Sequence, residues 1–170
     1  ARRAGKDPID YRLALYEKAG ATRHIAVLKL AAEKAGWGSP AAKGVGRGVA
    51  VHECFGSVVA QIADVTLVDG VPKVGRVVTA IDCGTAISPD QVAAQMEGGT
   101  CYGLSAALFG EVKLDKGAVQ NTNFDTYRVL RNSEAPTVET YILPSANAPS
   151  GVGEPGTPVI APAVANALLA

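Results

Sequence analysis

The chain has 170 residues, 48% of them hydrophobic and 19% charged, with sixteen basic and sixteen acidic side chains and a formal net charge of zero. That is enough chain for one apolar core, and one domain is the natural count. Balanced charge without a Lys/Arg cluster argues against a nucleic-acid surface or a polybasic membrane patch, each of which needs concentrated positive charge. No uninterrupted apolar run reaches the roughly eighteen residues of a membrane span, and the start Ala1-Arg2-Arg3 lacks the apolar core of a signal peptide.

In chain order, Pro8 after Asp7 opens a helix over Ile9 to Ala19 that Gly20 closes. Thr22 then caps a second helix, with Ile25, Leu28, Leu30 and Ala32 at helical spacing, which breaks at Gly36-Trp37-Gly38-Ser39-Pro40. Gly44-Val45-Gly46-Arg47-Gly48 lacks the Lys-Ser/Thr of a phosphate loop and reads as a linker or flexible loop. From there the pattern is β: Val49 to His52, Ser57 to Leu67 and Val74 to Ile81 are three antiparallel strands, the last two joined through an Asp69-Gly70 turn.

Ser88-Pro89 starts a helix running from Asp90 to Phe109, in which Gly98, Gly99 and Gly103 admit close approach of either a ligand or a packed sheet. Asp115-Lys116-Gly117 is a further hairpin turn, between Glu111–Leu114 and Ala118–Gln120. Thr137 to Leu143 alternates and forms the last strand. Tight hairpins interleaved with helices favour an α+β fold, a two-layer arrangement of helices against a mainly antiparallel sheet.

Cys54, Cys83 and Cys101 are far apart, odd in number and without a CxxC spacing, so they read as small buried apolar residues. His52 and Cys54 share one side of a strand, and a metal there needs further ligands. His24 reads as a surface residue at a helix start.

The segment Gly151-Val152-Gly153-Glu154-Pro155-Gly156-Thr157-Pro158 places one carboxylate on a glycine- and proline-shaped loop, with Thr157 as N-cap and Pro158 as first residue of a helix over Val159 to Ala170. From the residues alone, Glu154 is either a solvated turn carboxylate or a group placed for chemistry beside unsatisfied helix amides.

Ser150 to Leu168, SGVGEPGTPVIAPAVANAL, resembles the catalytic-glutamate loop and closing helix of the xanthine oxidase family of molybdenum hydroxylases. Ala80 to Leu108, AIDCGTAISPDQVAAQMEGGTCYGLSAAL, resembles that family's strand, turn and cofactor-contacting helix, with Gln95 as its glutamine. Gly48 to Cys83 and Asn123 to Arg128 resemble the large, molybdopterin-binding subunit of the isoquinoline 1-oxidoreductase branch.

The resemblance implies a C-terminal portion of a longer subunit. Residues 1–38 are then a helical lead-in, 44–143 the sheet and cofactor-side helix, and 150–170 the glutamate loop and closing helix. It also implies molybdopterin with molybdenum, in the cytosine dinucleotide form, and a two-iron two-sulfur small subunit that carries electrons away.

Glu154 is by this resemblance the general base of a hydroxylation that takes its oxygen from water, its pKa raised by a dry pocket. Gln95 orients the pterin, and Gly151 and Gly153 offer backbone N–H groups to the cofactor. The substrate is an N-heterocyclic aromatic oxidised next to nitrogen, with an aldehyde or a non-catalytic assembly role as alternatives. Ser88 stands where related sequences often have asparagine, which leaves the turn but alters its side-chain contacts. The 170 residues alone are expected to be inactive.

Overall fold

The computed structural model describes residues 1–170. Asp7 starts the first helix, Pro8–Ala19 (α1), by accepting from the N–H groups of Ile9 at 2.7 Å and Asp10 at 3.1 Å, two donors the helix itself cannot satisfy. The second helix, Thr22–Ala35 (α2), departs from expectation at its cap: Ala21 holds that position, and Thr22 makes no side-chain capping bond. Alanine has no side-chain acceptor to offer the first helical N–H groups. The N–H groups of Ala21 and Thr22 already donate to Tyr16 O at 2.9 Å and Gly20 O at 3.0 Å.

Three long strands follow, Val45–Cys54 (β1), Ser57–Val68 (β2) and Val71–Asp82 (β3), paired antiparallel in sequence. Both hairpin turns hold two consecutive residues at positive φ: Asp69 and Gly70 at 53° and 77°, and Phe55 and Gly56 at 54° and 77°. Such turns match the twist of the flanking strands. The helix Pro89–Phe109 (α3) is followed by a small hairpin of Leu114–Asp115 (β4) and Ala118–Val119 (β5). Thr137–Ile142 (β6) then returns to the sheet parallel to β3, giving the order β1-β2-β3-β6, and Thr157–Leu168 (α4) closes the chain.

Two sequence expectations are corrected here. Gly44 to Gly48 is not a linker, because β1 already begins at Val45. Its glycines serve packing: a Cβ on Gly48 would stand 2.2 Å from Ala163 O and Ala167 N, and one on Gly46 would stand 2.2 Å from Ala167 O, so α4 lies directly on the strand backbone. Asn166 fastens the same contact by donating from Nδ2 to Val49 O at 2.9 Å. Thr157 is the first residue of α4 rather than its cap; Gly156 occupies the cap, already near helical dihedrals, after a turn closed by Thr157 N–H donating to Glu154 O at 2.9 Å.

The α+β class with a mainly antiparallel sheet holds, but helices cover both faces and the layers number three rather than two. Val58, Ala60, Ile62, Val78 and Ala80 pack with Val27, Leu28 and Ala31 of α2. The alternate residues Val59, Ala63, Val65, Val77 and Ile81 pack with Met96 and Leu104 of α3 and with Val159, Ile160 and Ala163 of α4. A strand buried on both faces is apolar at successive positions, which is how β2 and β3 read.

Candidate active site

The segment from Leu143 to Gly156 crosses the end of the sheet and is fastened residue by residue. Leu143 N–H donates to Ile81 O at 2.8 Å, Ser150 N–H to Cys83 O at 3.0 Å, and Gly151 N–H to Phe55 O at 3.0 Å. The glutamate loop therefore rests on the β1–β2 turn. That turn is itself held from α2: Arg23 Nη1 donates to Gly56 O at 3.0 Å, while its Nε and Nη2 donate to Asp82 Oδ2 at 2.6 Å and Asp82 O at 3.0 Å. Asp82 is buried, and the bond from Arg23 holds its carboxyl below the ordinary range.

Three side chains reach the loop carbonyls on either side of Glu154. Ser57 Oγ donates to Gly151 O at 2.7 Å, Gln95 Nε2 to Gly153 O at 3.3 Å, and Gln61 Nε2 to Gly156 O at 3.2 Å. Ser57 and Gln61 are fully buried on β2, whereas Gln95 is exposed on α3. Ser57 and Gln61 lie in the Gly48 to Cys83 segment, but nothing in the resemblance singled them out, and only their place on the α3/α4 side of β2 could have marked them.

Glu154 opens onto a cavity of about 680 Å³. One wall is the end of β1 and its turn, with His52, Cys54 and Phe55; another is α3, with Gln95, Gly98, Gly99 and Tyr102; Gly153, Thr157 and Pro158 complete it. The structure thus brings Gln95, Gly153 and Glu154 together. Gly151 is not on this wall, and its N–H, expected to face the cofactor, is taken by Phe55 O. Of the helix glycines, Gly98 faces open space. Gly99 and Gly103 admit α4 instead: a Cβ on Gly103 would lie 2.3 Å from Thr157 O.

Glu154 is the one acidic side chain in the lining. No Lys or Arg lines the cavity. Burial and then the Glu154 carboxylate push the Cys54 thiol up, which disfavours its thiolate. His52 and Cys54 do face the same space, yet no group of three or more His, Cys, Asp and Glu side chains converges there. Among the cysteines only Cys83 is buried as expected; Cys54 and Cys101 are half-buried. His24 is half-buried near the start of α2, with Nε2 3.4 Å from Glu53 Oε2. Glu154 itself is exposed, so the dry pocket expected around it is not made by these residues alone.

What the cavity fits is a flat, polar, uncharged ring. The open Cβ position at Gly98 leaves the helix surface bare, and Gln95 keeps one amide hydrogen and Oε1 for such a ring after bonding Gly153. A phosphate is fitted less well, since no cation and no array of free loop amides faces the space.

The molybdopterin cofactor-binding domain family matches residues 18–136. The chain belongs to that family. The match takes in Gln95 and stops before Glu154. Along nearly its whole length this molybdopterin-binding domain is 37% identical, over 172 residues, to the isoquinoline 1-oxidoreductase subunit beta of Brevundimonas diminuta, covering 98% of this chain and 22% of the relative. It is 33% identical over 188 residues to a membrane-bound aldehyde dehydrogenase (pyrroloquinoline-quinone) of Gluconacetobacter polyoxogenes, covering 99% and 24%. Among solved structures, reconstituted CO dehydrogenase from Oligotropha carboxidovorans superposes with a TM-score of 0.59 at 26% identity, over 66% of this chain and 15% of that one. The domain is thus of the xanthine oxidase type, and it spans less than a quarter of the length of the relatives it matches.

Proposed function

We propose that this domain supplies the base-carrying wall of the active site of a molybdenum hydroxylase that oxidises an N-heterocyclic aromatic at the carbon next to nitrogen, with water as the oxygen source. The observation that carries the reading is the bond from Gln95 to Gly153 O, which joins the glutamine helix and the glutamate loop, 58 residues apart, at one cavity. The heterocycle is favoured by the likeness over 98% of the chain to an isoquinoline 1-oxidoreductase subunit. Aldehyde oxidation by the same chemistry is the second reading, favoured by the aldehyde dehydrogenase relative.

Molybdopterin with its molybdenum, in the cytosine dinucleotide form, supplies the two-electron oxidation when bound. Gln95 and the bare surface at Gly98 hold the pterin side, with Gly153 admitting close approach. Glu154 accepts the proton released by the water-derived nucleophile, and its place on a loop fastened at both ends keeps the carboxylate pointed at the same spot through the reaction. The upstream part of the subunit closes the open side of the cavity and dries it. A two-iron two-sulfur small subunit takes the electrons.

Glu154→Gln in the full-length subunit with its partner tests this. Turnover should fall at least about a hundredfold, the range general base catalysis contributes, with molybdenum content unchanged because only the base is removed. Near-normal turnover would sink the assignment.

A further inference from the structure

Ser57 and Gln61 lie on β2, outside the glutamate-loop and glutamine-helix segments, and neither lines the cavity. Both are fully buried, both face α4 and the glutamate loop, and both bond backbone carbonyls of that loop. Donor counting fixes the directions. The single Ser57 hydroxyl hydrogen goes to Gly151 O at 2.7 Å, so the 2.7 Å contact between the two serine hydroxyls is Ser150 donating to Ser57.

Gln61 Nε2 has two hydrogens and three neighbours within reach: Thr100 Oγ1 at 2.8 Å, Gly156 O at 3.2 Å and Thr79 Oγ1 at 3.3 Å. A carbonyl can only accept, so one hydrogen goes to Gly156. Turning the amide over would set Oε1 against that carbonyl, so the orientation is forced. It leaves Gln61 Oε1 buried with no partner. A buried orphan oxygen is a cost that an apolar residue of the same size would avoid.

We propose that Ser57 and Gln61 are positioning residues for Glu154: from inside the sheet they grip the loop carbonyls at Gly151 and Gly156 and set where the carboxylate stands. The same Gln61 amide bonds Thr100 on α3, the helix that carries Gln95. One buried side chain therefore ties the base-carrying loop to the helix facing it across the cavity. The orphan oxygen is the consequence of placing an amide where its nitrogen can serve both. This inference rests on the reading of Glu154 as the base.

The experiment compares Gln61→Met and Ser57→Ala with wild type in the full-length subunit bound to its partner, by hydrogen exchange of peptides covering Gly151 to Thr157. Loss of one loop anchor should speed exchange there about tenfold, the factor one hydrogen bond is worth. Turnover should fall with little change in KM and molybdenum content should hold, while the melting temperature does not discriminate, because Gln61→Met removes the orphan oxygen but takes the donor from Gly156 O and Thr100 Oγ1. A merely structural residue would leave the exchange pattern of this loop alone and would change turnover no more than an equally destabilising core substitution does.

Unchanged exchange in both variants overturns the proposal, as does faster exchange with full turnover. Exchange needs no chemistry at the base. Loosening in both variants therefore supports the grip on the loop even where Glu154→Gln were to keep its activity, which would remove the base reading on its own. Ser57→Ala keeps the test available if Gln61→Met fails to fold.

Discussion

On the α1/α2 face of the sheet the buried side chains from Val49 to Ala80 are apolar, and the one buried polar group, Asp82 at the sheet end, is paired with Arg23. On the α3/α4 face Ser57, Gln61, Thr79 and Thr100 are all fully buried among Val59, Ala63, Val77 and Met96. Both buried polar atoms without partners, Gln61 Oε1 and Thr140 Oγ1, belong to this second face, Thr140 through its parallel register with Thr79. The same two strands, β2 and β3, line both faces, so strand propensity does not account for the difference. An unsatisfied buried polar atom costs about 1–3 kcal/mol. One face is built for stability, and the other gives some of it up to hold a loop and two helices in register.

Leu28→Ala offers the hardest test of that division. Leu28 is fully buried against the sheet, and its truncation should cost about 3 kcal/mol in urea denaturation followed by Trp37 fluorescence, the chain's single tryptophan, which sits at the end of α2. Hydrogen exchange of the glutamate loop in the folded protein should not change. A loosened loop would show that the faces are not separate.

Arg23→Ala should cost less, about 2 kcal/mol near neutral pH, because it leaves buried Asp82 without its cation, with the Gly84 N–H and the Ser145 side chain as its remaining partners. Since Arg23 holds the Asp82 carboxyl below its ordinary 3.8, the pair's contribution is complete above that value and is lost as pH falls through the folded-state pKa. The stability gap between wild type and variant should therefore close on acidification below about pH 4. A gap independent of pH would remove the ion pair from the account.

Thr79→Val should have the smallest effect, within about 1 kcal/mol. Its hydroxyl stands 3.3 Å from Gln61 Nε2, the longest of that amide's contacts, and touches no loop carbonyl. Exchange of Gly151 to Thr157 should stay at the wild-type rate. A tenfold increase would spread the positioning role over the whole polar face instead of its two direct contacts.

Much of this architecture is written locally. Asp7, Gly20, Asp69-Gly70 and Ser88-Pro89 act through backbone geometry within a few residues, and the elements they bound are where such geometry puts them. The Phe55-Gly56 turn is not legible, because phenylalanine carries no preference for positive φ and the pairing of two long strands imposes it. Parallel β6 is equally silent: its alternation announces a strand, while its direction is decided by the path from α3 back to the edge of β3. The glycines of Gly44 to Gly48 look like a hinge until α4, more than a hundred residues later, is laid on them. Glu154 and Gln95 stand out in the sequence through the family resemblance of their segments. Ser57 and Gln61 have no such local mark within their segment, and a buried glutamine in an apolar strand declares itself only once its three neighbours are known.

Alternation along β2 gives the hairpins at its ends a task beyond reversing the chain. A slip of β2 by one residue would turn Gln61 toward Leu28 and send Ile62 into the space beneath Gly156, exchanging the two faces at a stroke. The ten paired positions from Val45↔Thr66 to Cys54↔Ser57, locked by Phe55-Gly56 at one end, oppose that slip, and the one register irregularity between β2 and β3 falls at Asp64/Val65, beyond Gln61. A residue inserted or deleted between Phe55 and Gln61 would take the grip off the Glu154 loop without touching the loop itself.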